Sequence, residues 1–118
     1  MYKNLEFYSV EEDLGYENVP SDLYDLMESD EEGNPRGFLS DERYWETFLP
    51  VIEFNEGKLK KIELYPVELG MNAPRSQRGR PMVRSGEKGK SILKKIKDLS
   101  KIFDTKIEIL EDKGIVDL

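Results

Sequence analysis

Residues 48–69, FLPVIEFNEGKLKKIELYPVEL, constrain the fold of this chain more than any other stretch. Two runs rich in Val, Ile, Phe, Tyr and Leu flank Asn55, Glu56 and Gly57, which is the signature of a β-hairpin with a glycine available for positive φ. Val51 on the first run and Leu59, Ile62, Leu64 and Val67 on the second mix alternation with short apolar stretches, so one face is expected to be well buried. A lone hairpin is marginal in water and needs further strands or a helix against it.

The expected helix spans Gly86–Phe103. Ile92, Leu93, Ile96, Leu99, Ile102 and Phe103 recur near the 3.6-residue period, while Lys88, Lys90, Lys94, Lys95, Lys97 and Lys101 occupy mainly the other directions and read as a solvated face. Beyond it, Lys106–Leu110 and Ile115–Leu118 read as two short strands about the turn EDKG. Upstream, Leu5–Val10 reads as a strand. Ser21 is placed to cap a short helix over DLYDLMES, which the cluster Gly33, Asn34, Pro35 and Gly37 ends. Ser40 offers a second N-cap, with Asp41 and Glu42 near the positive end of a short helix through Arg43 to Thr47. Tyr44, Trp45 and Phe48 are expected to anchor that helix by burying aromatic surface. The sum is an α+β fold: antiparallel strands including a central hairpin, packed by one amphipathic C-terminal helix and one or two short N-terminal helices.

The 118 residues suit a single small domain, and with 36% charged residues much of its surface must be solvated. Charge divides the chain: residues 1–46 carry 14 acids against 3 bases, and residues 47–118 carry 15 bases against 11 acids. Overall acidity argues against a nucleic-acid partner, which needs a dominant basic face. No run approaches the roughly 18 apolar residues of a membrane span, so no membrane insertion is expected. Neither histidine nor cysteine occurs, which removes the usual base of hydrolytic triads and the commonest transition-metal ligands. Carboxylates are abundant, yet none stands out as a pair by spacing. An oxygen-ligated metal on Asp30, Glu31 and Glu32 matches no calcium-loop pattern.

The chemistry-bearing segment follows the hairpin. In PRSQRGRP, Arg75, Arg78 and Arg80 stand within six residues, fenced by Pro74 and Pro81, with Arg84 just beyond. Each proline removes a backbone donor and biases the residue before it toward extended geometry, so the segment is an exposed irregular loop. Guanidinium groups on such a loop suit a carboxylate or phosphate. Pairing with the chain's own acids, including an acidic first half drawn onto the basic second, is the alternative.

FYS near the start, PSDLYD, the RGF of Arg36 to Phe38, RYWE, VIEFNEGKLKKIELYPVELG, PRSQRGRP and ILKKIKDLSKIFDTKIEI together resemble the C-terminal portion of the capsule synthesis CapA family, the poly-γ-glutamate biosynthesis proteins whose main body is similar to calcineurin-like metallophosphatases. The metal-binding Asp, Asn and His motifs of that body are absent, so the resemblance carries over no catalytic residue, metal or cofactor. It implies a noncatalytic accessory module. Its partners would be an upstream metallophosphatase-like domain or subunit and an anionic polymer or phosphorylated substrate, bound through Arg75, Arg78, Arg80 and Arg84. Its setting would be the extracytoplasmic cell envelope. The resemblance also implies that the hairpin closes a sandwich whose other strands lie elsewhere, leaving its own helices or self-association to a homo-oligomer to cover it. A purely structural or protein-interaction domain is the other expectation.

Overall fold

The structure, a computed structural model, describes residues 20–118, and the expected strand Leu5–Val10 lies outside them. The chain forms two compact units, Met1–Glu42 and Arg43–Leu118.

In the first unit, helix α1 spans Pro20–Glu28. Proline tolerates the first helical position because its missing N–H would be unsatisfied there in any case. The helix therefore begins one residue before the expected cap, and Ser21 stands inside its first turn. The Gly-Asn-Pro turn forms as expected, with Gly33 at φ +83° and a bridge between Ser29 and Pro35. Asp30 organises it, accepting the N–H groups of Glu32 and Asn34 and the Asn34 side-chain amide at 2.8–3.1 Å. These bonds, the Asn34 N–H first, hold its carboxyl below the ordinary range. Asp30 is thus committed to its own loop. Gly37–Ser40 is a 3-10 turn, and the Ser40 hydroxyl donates to the Gly37 carbonyl instead of capping a following helix.

The second unit is the α+β body. A 3-10 turn, Glu42–Trp45, replaces the expected helix through Thr47, because the chain is already extended from Glu46. Five strands form one antiparallel sheet: β1 Glu46–Asn55, β2 Lys58–Glu68, β3 Met82–Val83, β4 Ile107–Leu110 and β5 Lys113–Val116. Their order is β1-β2-β5-β4, with β3 also on β2. The hairpin β1–β2 turns through Glu56 and Gly57, both at positive φ (49° and 75°), the conformation that matches the twist of the two strands. The second hairpin is tighter than expected: Lys113 and Gly114 belong to β5, and the turn is Glu111–Asp112.

Helix α2 spans Gly86–Ser100 and continues as a 3-10 turn, Lys101–Phe103. Its first amide is capped from a distance, Gly86 N–H donating to the Asp112 carboxylate at 2.9 Å. A negative charge there opposes the positive helix end and ties the β4–β5 turn to α2. The helix lies on the sheet through Leu93, which packs with Leu64 and Ile107, supported by Ile62, Ile96, Ile109 and Val116. Close approach depends on two glycines. A Cβ on Gly89 would stand 2.7 Å from the Arg84 carbonyl oxygen, and one on Gly114 would meet Ile107, Leu93 and Leu64.

The period of α2 overstates its buried face. Ile92 and Leu93 are buried, whereas Leu99, Ile102 and Phe103 are exposed. Likewise Trp45 is buried but Tyr44 and Phe48 are not. The hairpin departs furthest from expectation. Every β1 residue after Glu46 is exposed among the described residues, and β2 meets β5 only at Glu63 and Leu64. Lys88 and Lys95, expected to stay wet, instead both donate to Glu46, whose side chain is 5% exposed, at 2.7 and 2.6 Å. Burial raises the Glu46 pKa, but the two ammonium groups outweigh it and the net shift is downward.

Candidate anion-binding loop

Between β2 and β3 the chain closes a loop over residues 69–81. Gly79 N–H donates to the Leu69 carbonyl at 2.8 Å across its neck, and Ala73 N–H donates to Gly70 O at 3.0 Å. Gly70 and Gly79 adopt φ of +76° and +79°, a region L side chains rarely enter, so the closure depends on glycine at both ends. Inside, Arg75–Gln77 makes one 3-10 turn started by Pro74, whose carbonyl takes the Gln77 and Arg78 amides at 2.8 and 3.2 Å. The loop is exposed, as its prolines imply, but it is ordered by its own backbone bonds.

The four arginines are not equivalent. Arg84 is tied to the sheet: its Nε donates to Glu68 at 2.7 Å and its N–H to the Pro66 carbonyl at 2.9 Å. Its charge is answered within the fold. Arg75 and Arg80 are exposed on the loop, and Arg78 is half-buried. The Arg78 Nε lies fully buried without a hydrogen-bond partner. Neither Arg78 nor Arg80 forms an ion pair among the described residues. Packing therefore holds the Arg78 Nε out of reach of a ligand, and contact with an anion would fall to the rest of its guanidinium and to Arg80. Such a loop can bind and orient an anion.

A second polar cluster, invisible in the sequence, lies on β2 and β5. Glu63 accepts from Lys61, from Lys113 at 2.9 Å and from the Tyr65 hydroxyl at 2.9 Å. The Lys61 bond, then those from Lys113 and Tyr65, lower its pKa to about 2. A depressed carboxylate contributes stability that is present above its ordinary pKa and lost as pH falls through its folded value. Thermal melts of the wild type should therefore lose stability from about pH 4.5 toward about pH 2, and Glu63→Gln should flatten that slope. Parallel profiles for the two proteins would show that the cluster does not form.

Among the described residues, no group of three or more carboxylates is arranged to hold a metal ion, and no helix is long and apolar enough to cross a membrane. No protein-family model matches the chain. Two uncharacterized proteins of Sinorhizobium fredii (strain NBRC 101917 / NGR234), y4sH and y4uA, are each 34% identical to it over 82 residues, which is 70% of this chain. The matched stretch is 18% of each of those proteins, so the chain spans about a fifth of the length of the curated relatives it matches.

Proposed function

We propose that this chain is a noncatalytic accessory module of a CapA-like capsule or poly-γ-glutamate biosynthesis protein, in which the loop bearing Arg75, Arg78 and Arg80 holds an anionic polymer or phosphorylated substrate for a reaction centre supplied elsewhere. The observation that carries this reading is that Arg78 and Arg80 stand on a backbone-ordered, glycine-closed loop without an ion pair among the described residues. The resemblance of PRSQRGRP and the hairpin before it supplies the polymer's identity. The expected result is that oligo-γ-glutamate binds the protein at low ionic strength and dissociates as salt is raised, because exposed charges are screened within a Debye length of about 8 Å at physiological salt. Absence of salt-sensitive binding at low ionic strength removes the ligand role.

A second reading, an interaction domain with no small ligand, draws on the open hairpin. Cross-strand partners share a face, so Ile52 and Ile62, then Phe54 and Leu59 past the bulge, extend the core-facing side of β1–β2 beyond the helix that covers it. Under that reading Arg78→Ala lowers the melting temperature and leaves anion affinity at background.

A further inference from the structure

One side of α2 and the outer strand of the hairpin border an apolar trough. That side of the helix is fixed by Lys88 and Lys95, which both reach Glu46 at the start of β1. Ile102 stands seven residues beyond Lys95, on nearly the same line of the helix, and Leu99 and Phe103 adjoin it. Leu99 lines a groove of about 370 Å³ with Ile96, Glu46 and Thr47. Across from this ridge, Phe48 and Ile52 are register partners of Pro66 and Ile62 on the face of the sheet that α2 covers, and Phe54 follows beyond the bulge.

Helix and strand run side by side. Gly89 lies against Pro66 and Leu93 against Leu64, so α2 advances in the direction of β1. From Leu93, abreast of Pro50, ten residues of helix and about four of strand each cover about 15 Å, which brings Phe103 level with Phe54. The ridge Leu99, Ile102 and Phe103 thus stands beside a floor of Phe48, Ile52 and Phe54. These six side chains are between 40% and 79% exposed. At about 200 Å² for a fully exposed large side chain they present roughly 750 Å² of apolar surface. That exceeds the largest patch of an ordinary monomer, about 300–600 Å², and approaches the about 800 Å² that each partner gives to a stable interface. Charge stays out of the contact: Lys95 is answered by Glu46, and Lys90, Lys94 and Lys101 project from the opposite side of α2.

The free edge of β1 is blunted against a further strand. The Pro66 carbonyl accepts the Arg84 N–H and so faces β3, which turns the backbone of its partner Phe48, and of Pro50 two residues on, toward the free edge, where Pro50 has no N–H to donate. An occupant therefore meets the face and not the edge. Ridge and trough lie next to each other on one patch, the condition for a two-fold contact in which each copy supplies what the other lacks. We propose that the chain forms a homodimer through this patch, with the ridge of each copy seated in the trough of its partner. This deepens the interaction-domain reading above, on which it rests, by naming the partner as a second copy of this chain.

Sedimentation equilibrium of the full chain from micromolar to sub-millimolar concentration tests the dimer. The mass should rise with concentration to twice 13.8 kDa and no further. Ile102→Glu should raise the dimer dissociation constant at least about 100-fold at unchanged circular dichroism, because Ile102 is exposed in the single copy. Phe48→Glu should do the same from the trough. Leu110→Glu, at an exposed position on the other face of the sheet, should leave association at the wild-type value. A monomer at every concentration would overturn the dimer and leave the interaction-domain reading to its own criterion, the response to Arg78→Ala. A dimer that survives both Ile102→Glu and Phe48→Glu, or that Leu110→Glu weakens as much, overturns the patch, and assembly beyond two copies overturns the two-fold contact.

Discussion

Leu93→Ala is expected to lower the melting temperature of the Arg43–Leu118 unit by roughly 10–20 °C, the largest effect of any single truncation in the chain. Leu93 is fully buried and packs where α2, β2 and β4 meet, against Leu64 and Ile107. Its neighbours cannot move in to fill the space. The backbone of Gly114 lies against it so closely that an added Cβ would come within 3.4 Å of Leu93 Cδ2, and Leu64 and Ile107 are themselves buried and held by the sheet. Leu→Ala substitutions at sites that collapse poorly cost about 3–5 kcal/mol, which is much of the stability of a unit this small. Leu99→Ala is the control. It stands on the same helical period but is 71% exposed, so a change within about 0.5 kcal/mol is expected by thermal or urea melts. Equal shifts for the two variants would mean that α2 does not rest on the sheet through Leu93.

The contrast between those leucines also marks what the amino-acid sequence discloses. Periodicity located both the hairpin and the helix because each depends on neighbours a few residues away: Glu56 and Gly57 form the left-handed turn that a short Asn-Glu-Gly break requires, and Ile92, Leu93 and Ile96 fall on one side of α2. It failed where burial depends on what lies opposite. Leu99, Ile102 and Phe103 continue the period yet are exposed, and so are Phe48, Leu49, Val51 and Ile52 on a strand whose composition reads as buried. Tyr44 and Trp45 differ in burial although they are adjacent and chemically alike, since the direction of one side chain decides the matter. Strand β3 is two residues long and carries no pattern. The arginine loop was visible through its proline fence and charge, but the division of labour within it was not. Arg84 finds Glu68 sixteen residues away, and Lys88 and Lys95 find Glu46 more than forty away, pairings set by the fold alone.

Arg78→Gln is the second large effect, and it falls on binding instead of stability. Glutamine keeps a polar side chain of comparable reach but removes the charge and the guanidinium fork, so oligo-γ-glutamate affinity at low salt should fall at least about tenfold, the loss of one charge-assisted contact of about 1.5–3 kcal/mol. The melting temperature should stay within about 2 °C or rise slightly, because the Nε that disappears has no partner in the folded protein and its burial carries a cost. Arg84→Gln should behave in the opposite way. Removing it strands Glu68, 17% exposed, and loosens the seam between β2 and the start of α2, so stability falls while affinity falls less than in the Arg78 variant. The two substitutions remove the same charge six residues apart and so have the same effect on net charge. If the long-range field alone attracted the polymer, both would weaken binding equally, and raising salt would erase any difference between them. A larger loss at Arg78 than at Arg84 therefore isolates a local contact from a general attraction, and a melting temperature that falls at Arg78 with no binding to lose returns the loop to a structural role.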